Sequence, residues 1–258
     1  WNWQYLFFFQ NFAWMPERFF SVSWSLAIEE WFYLLVPLII IFIRAFTDSI
    51  RLAVLLSAII IIFAVTILRF HVAFNYGFIW NEELRMTVIY RLDALMYGVF
   101  AAWLYYYHAN FFIAIKKPLL YIGVIAFALA VFLRSTDLIY SSPFVVSVLF
   151  PLSSFSFMCF LPVLATWNSG SKGITAQIVT LISMWSYSLY LVHVPVLEVV
   201  KILSKKFHFL TQSPVNYIVF IIWISLSIFI SYLIYRHFEK PMTDLRDNKY
   251  FIFKENST

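Results

Sequence analysis

Blocks of about twenty consecutive apolar residues recur along the whole chain, and no other feature limits its folding options so severely. Each block is long enough to cross a hydrocarbon core of about 30 Å as a helix. Inside that core the chain itself has to satisfy every backbone N–H and C=O, which a helix does within one segment. Taken in order, the blocks fall near residues 26–44, 52–69, 87–107, 118–133, 143–166, 178–202 and 215–235. The expectation is an all-α integral membrane protein, a bundle of about seven transmembrane helices. Composition agrees: 63% of the 258 residues are hydrophobic and 12% charged, against about 45–50% apolar and about 25% charged in soluble domains.

The connections carry the Pro, Gly, Asn and charged residues, as in "FHVAFNYGFIWNEELR", "RSTDLIYSSP", "WNSGSKG" and "KKFHFLTQSP". None is long enough for a soluble domain, and no internal repeat is visible. The lone cysteine, Cys159, lies inside an apolar block and reads as packing. A formal charge of +5 follows from basic residues flanking the spans, and no Lys/Arg run with interleaved aromatics points to nucleic acid. If Trp1 begins outside the cytoplasm, the cytoplasmic segments hold ten Lys/Arg against seven on the other side, with Arg91 inside a span. That bias favours a cytoplasmic C-terminus.

A charge near the bilayer centre costs at least about 2.5–3.5 kcal/mol, so each one kept there faces protein, water or a partner. With this orientation Glu29 and Glu30, in "SWSLAIEEWFYLL", lie in the first turns of a helix entering from outside. Arg91 and Asp93, in "YRLDALMYG", lie just inside the outer end of an inward-running helix. His193 lies in the outer half of a helix running outward. Five ionisable groups from three helices thus fall in one half of the membrane, the pattern of a polar cavity open to the outer face.

Each group also has a structural role to weigh. A first-turn carboxylate meets the helix macrodipole favourably, but a capping box needs Ser or Thr three residues earlier, where Leu26 and Ala27 stand. Arg91 and Asp93, two apart, point to different helix faces, so each needs a partner elsewhere. For Arg91 the choices are a salt bridge to Glu29 or Glu30 and an anionic ligand, which its planar fork suits. Ser186, Tyr190 and His193 are spaced by four and three, share one helix face and precede Pro195, where a kink is expected. They are read either as satisfied core or as cavity lining. No His/Cys/Asp grouping has metal-ligand spacing, and no metal is expected.

Four stretches, "SVSWSLAIEEWFYLLVPLIII", "YRLDALMYGVFAAWL", "SYSLYLVHVPV" and "YRHFEKP", resemble successive landmarks of the acyltransferase-3 family of membrane O-acyltransferases, which includes O-antigen acetylases. The resemblance implies a fold of roughly ten helices with both termini in the cytoplasm, of which this chain would be the C-terminal part. It implies residues 1–240 as the transmembrane domain and 241–258 as a short cytoplasmic tail. It implies transfer of an acyl group, usually acetyl from acetyl-CoA, to a hydroxyl of a carbohydrate or related acceptor, with no bound cofactor. A multi-pass location in the cell (inner, cytoplasmic) membrane follows.

In that family the essential histidine and an Arg-x-x-Arg element precede the region matched here, so the catalytic base is expected upstream of Trp1 and His193 is not promoted to that role. Glu29 and Glu30 match the family's paired acids and are expected to build the acceptor cavity with Arg91, Asp93, Ser186, Tyr190 and His193. The partners implied are membrane lipid, acyl-CoA and the carbohydrate. A transporter or flippase, with the same charges as an ion path, is the competing reading. The aromatic "WNWQYLFFFQNFAW" suits either sugar stacking or a membrane interface.

Overall fold

The structure, a computed structural model, describes residues 3–15, 20, 22–166, 173–206 and 215–245. Among these residues every regular element is helical: α1 Ser23–Arg44, α2 Ile50–Asn75, α3 Leu92–Tyr107, α4 Ala109–Ala114, α5 Lys116–Ser135, α6 Leu138–Ser141, α7 Pro143–Ala165, α8 Ile174–Lys206 and α9 Val215–Ile234. Six helices are long and apolar enough to cross a membrane: α1, α2, α5, α7, and the segments Ala176–Ser204 and Tyr217–Leu245. The chain is a multi-pass membrane protein. It divides into two compact units, Trp1–Asn168 and Ser169–Thr258.

In the first unit α1 buries Ile28, Phe32 and Val36, one turn apart, and the latter two pack with Ala58, Ile61 and Val65 of α2 and Met96 of α3. The opposite face of α1 leaves Ile41 67% and Phe42 65% exposed, the surface that lipid covers. Helices α5 and α7 approach along small residues. Gly123, Ala126 and Ala130 are the buried positions of α5, and a Cβ built on Gly123 would lie 2.9 Å from Cys159 Cβ and 2.9 Å from Phe160 Cε1. Without a hydrophobic force between helices in lipid, such close backbone approach is what holds them. Cys159 is fully buried in this contact, so its role in this unit is packing. Ser142 caps α7, accepting from the Val145 N–H at 3.3 Å, with Pro143 at the first helical position.

Two expectations change. The second span does not end at Arg69 but continues to Asn75, because "FHVAFN" extends the helical pattern instead of opening a loop. The third block is not one span from residue 87. Val88–Tyr90 forms a single 3-10 turn, Arg91 breaks the path at φ −131° and ψ −5°, and α3 starts at Leu92 with 16 residues. The break has a long-range cause. The Val88 and Ile89 N–H groups donate to the carbonyls of Asn11 and Phe12, at 2.9 and 3.2 Å. The Asn11 amide then donates to the carbonyls of Trp24 (3.0 Å) and Met86 (2.5 Å). Backbone N–H groups engaged by another segment cannot join a continuous helix.

The aromatic N-terminal stretch is part of this packing. Phe9 and Phe12 have ring centroids 4.7 and 4.5 Å from Trp31, whose indole N–H donates to the Phe8 carbonyl at 2.8 Å.

In the second unit α8 continues through Pro195, and α9 runs into a π-type turn, Tyr235–Glu239. Ser188 Oγ donates to Glu239 Oε2 at 2.6 Å, so the stretches "SYSLYLVHVPV" and "YRHFEKP" are joined by a hydrogen bond. The expected tail lies outside the described residues from position 246 onward.

Candidate functional site

The best-defended polar feature of the first unit is an ion pair between α2 and α3. Arg69 and Asp93 are 0% and 1% exposed. Arg69 Nη1 donates to Asp93 Oδ1 at 2.9 Å and to the Tyr90 carbonyl at 2.5 Å. Its Nη2 donates to Asp93 Oδ2 at 2.5 Å and to Thr66 Oγ1 at 3.1 Å. A two-pronged pair of this kind directs both carboxylate oxygens at one cation. Asp93 therefore has the partner on another helix that its sequence context demanded. That partner is Arg69, which reads in the sequence as a flanking charge.

This pairing decides the setting of Arg91. Asp93 spends both oxygens on Arg69, and Arg91 sits at the head of α3 with its guanidinium 4.6 Å from the Phe150 ring centroid. The Arg91 Nε–H is buried without a hydrogen-bond partner among the described residues. Arg91 lines a cavity of about 380 Å³ together with Arg85, Arg134, Trp24, Trp80 and Phe150. Arg85 Nε donates to Asn81 Oδ1 at 2.8 Å, and its guanidinium lies 4.9 Å from the Trp24 ring and 5.9 Å from Trp80. Arg134, from the last turn of α5, lies 5.6 Å from Trp80. Among the described residues the lining contains three guanidiniums and no carboxylate.

Four elements create this arrangement: the start of α1, the segment between α2 and α3, the end of α5 and the first half of α7. The buried cluster of Ala73, Leu84, Tyr90, Val146 and Phe150 holds the segment that carries Arg85 against α2 and α7. Arg85 and Arg134 were not singled out by sequence reasoning, since each looks like an ordinary basic residue beside a span. For Arg85 the detectable signal is the tryptophan and carboxamide close before it in "WNEELR"; Arg134 carries none.

Glu29 and Glu30 lie in the second turn of α1 and are exposed, while the first turn has no acidic residue. The structure does not place either in a salt bridge to Arg91: among the described residues the ion pairs are Arg69–Asp93 and Lys201–Glu198. The reason is visible in the helix itself. Residues 28, 32 and 36 turn inward, which carries positions 29 and 30 to the outer side of α1.

The second unit holds the other three sequence-selected residues together. Ser186, Tyr190 and His193 line a groove of about 430 Å³ between α8 and α9, with Trp223 and Ser227 opposite. His193 Nδ1 lies 3.1 Å from the Leu189 carbonyl; a carbonyl only accepts, so Nδ1 carries the proton and Nε2 of the neutral ring is an acceptor. Trp223 Nε1–H donates to the His193 carbonyl at 2.8 Å, fixing α9 against this turn of α8. Ser186 Oγ donates back to the Ser183 carbonyl at 2.7 Å, and Ser227 Oγ is buried without a hydrogen-bond partner among the described residues. A one-face spacing of four and three thus produces a shared groove, as the sequence indicated.

A family model described as an acyltransferase domain matches residues 1–236, and so covers both units. Neither a curated protein nor a solved structure matches the chain.

Proposed function

The chain belongs to the acyltransferase-3 family, and on that premise we propose that it carries an acyl group, in the first place acetyl, from acyl-CoA to a hydroxyl of a cell-surface carbohydrate in the cytoplasmic membrane. The observation that carries this reading is the extent of the family match, which includes the first three landmark stretches and reaches the start of the fourth. In the reaction the acceptor oxygen bonds to the acyl carbon, the C–S bond breaks, and CoA leaves as a thiol with the proton that the hydroxyl gives up. A general base takes that proton and donors stabilise the oxyanion of the tetrahedral intermediate.

Within the chain, Glu29 and Glu30 are assigned to orienting acceptor hydroxyls. Arg91, which forms no ion pair among the described residues, suits a negative charge on the substrate or the intermediate. Asp93 acts through Arg69, as a positioning residue for the head of α3. His193 offers an acceptor nitrogen in the groove of the second unit and is assigned to acceptor binding with Ser186 and Tyr190.

The test is release of free CoA thiol from acetyl-CoA by the membrane-reconstituted protein, with and without cell-envelope glycans. Release that requires a glycan, and that falls at least about tenfold in Glu30→Gln and Arg91→Ala, is the expected result; a tenfold change corresponds to about 1.4 kcal/mol of barrier. Glycan-independent release, or unchanged rates in both variants, would overturn the assignment.

A further inference from the structure

We propose that a further cavity of the first unit, formed by residues 78–82 and Tyr140, is a subsite for a neutral sugar unit of the acceptor, so that the carbohydrate acylated is an oligosaccharide or longer chain rather than a single sugar. This rests on the acyl-transfer reading and gives its acceptor a length. The cavity holds about 550 Å³ and is lined by Phe78, Ile79, Trp80, Asn81, Glu82 and Tyr140. Ligand sites span about 300–1,000 Å³, and this one falls among them. Trp80 also lines the cavity that contains Arg91, so the two cavities share one indole as a wall. A chain of sugars seated in one has a short path into the other.

The local backbone builds a fixed aromatic corner. Gly77, at φ +77°, a region that favours glycine, turns the chain away from α2. Trp80–Leu84 then forms a π-type turn, in which the Leu84 and Arg85 N–H groups donate to the carbonyls five residues back, at 3.2 and 2.9 Å. Single turns of this kind recur at functional sites. Trp80 is anchored by packing on the buried Ala130, Ile139 and Leu149. Tyr140, 68% exposed, stands at 73° to it with ring centroids 6.4 Å apart.

The polar groups beside that corner select the ligand. Asn81 commits its Oδ1 to the Arg85 Nε–H at 2.8 Å, so what it offers a ligand is its two amide N–H donors. Glu82 is exposed and offers carboxylate acceptors, while Glu83 Oε2 already accepts from the Ile79 N–H at 3.0 Å. Donors and acceptors flanking aromatic rings suit a ring compound with several hydroxyls and apolar C–H faces, which is a sugar. The mixed signs of charge favour a neutral one. An anion would meet the Glu82 carboxylate in the wall, and a cation would meet Arg134 and Arg85, whose guanidiniums lie 5.6 and 5.9 Å from the Trp80 centroid.

The test is saturation-transfer NMR on the protein in phosphatidylglycerol nanodiscs, with the methyl glycosides of glucose, galactose and rhamnose and of the disaccharides maltose and lactose as probes. At least one disaccharide is expected to bind about tenfold more tightly than its component monosaccharides. Tyr140→Ala and Glu82→Gln, both on exposed residues, are each expected to remove most of that gain, whereas Tyr140→Phe, which keeps the ring, retains it. Equal binding of monosaccharides and disaccharides, or a gain that survives both Tyr140→Ala and Glu82→Gln, would overturn the proposal. Displacement of the disaccharide by choline chloride would overturn it too, by making the aromatic corner a site for cations. Acceptor-dependent thiol release is measured on the same preparation, and there Tyr140→Ala should raise KM for the disaccharide about tenfold with kcat unchanged. Absence of thiol release beside an intact, Tyr140-dependent preference for disaccharides supports the subsite and defeats the acyl-transfer reading alone.

Discussion

Arg69 and Asp93 show how one residue pair sets the chemistry of its neighbours. Two opposite charges this deeply buried contribute little net stability as a pair, because desolvation offsets their attraction. Losing one member is another matter. Asp93→Asn or Arg69→Met alone is expected to cost about 3–5 kcal/mol, read as a lowered unfolding midpoint in detergent, whereas Arg69→Met with Asp93→Leu recovers most of it. Midpoints equally low in the double variant would show that the pair's hydrogen bonds to Tyr90 and Thr66, rather than its charges, hold α3 in place. Sequence reasoning found Asp93 and its need for a partner, since a carboxylate inside an apolar block is conspicuous. It passed over Arg69, because a cation at the end of such a block is indistinguishable from the basic flank that most spans carry.

At the scale of elements, the contact between α5 and α7 depends on the absence of one side chain. Gly123→Leu would drive atoms into Cys159 and Phe160 and is expected to destabilise the protein by about 1–3 kcal/mol, the usual range for overpacking. Gly98, whose Cβ would meet nothing within 4 Å, is the control, and Gly98→Ala is expected to leave the unfolding midpoint unchanged or slightly raised. Six of the seven apolar blocks fall on helices long enough to span, because twenty apolar residues in lipid have few alternatives. The break before α3 escaped that logic. Val88, Ile89 and Tyr90 are as apolar as a span requires, and what stops the helix is a pair of backbone hydrogen bonds to residues 11 and 12, nearly eighty positions away. Hydropathy carries no trace of such a bond. For the same reason the three-arginine cavity was invisible, being assembled from positions scattered between Trp24 and Phe157.

For the whole molecule, the distribution of Lys and Arg predicts a sidedness that the single buried cysteine makes easy to measure. Cys159 is inaccessible, so the unmodified chain is expected to react poorly with a membrane-impermeant maleimide. Asp137→Cys, in the turn before α6, should label in intact cells, and Asp48→Cys, in the turn before α2, only after permeabilisation. The reverse pattern would put the arginine cavity on the cytoplasmic face and the C-terminus outside. The buried pair between α2 and α3 also bears on how the chain is made. During synthesis Arg69 reaches the translocon 24 residues ahead of Asp93, and until that carboxylate arrives its insertion carries the penalty of an unpaired intramembrane cation. Helix α3, only 16 residues long, lacks the apolar length to insert dependably alone. Each compensates for the other's deficiency, so α2 and α3 should enter the bilayer together as one hairpin, and a ribosome stalled between them would leave α2 still within reach of the aqueous channel.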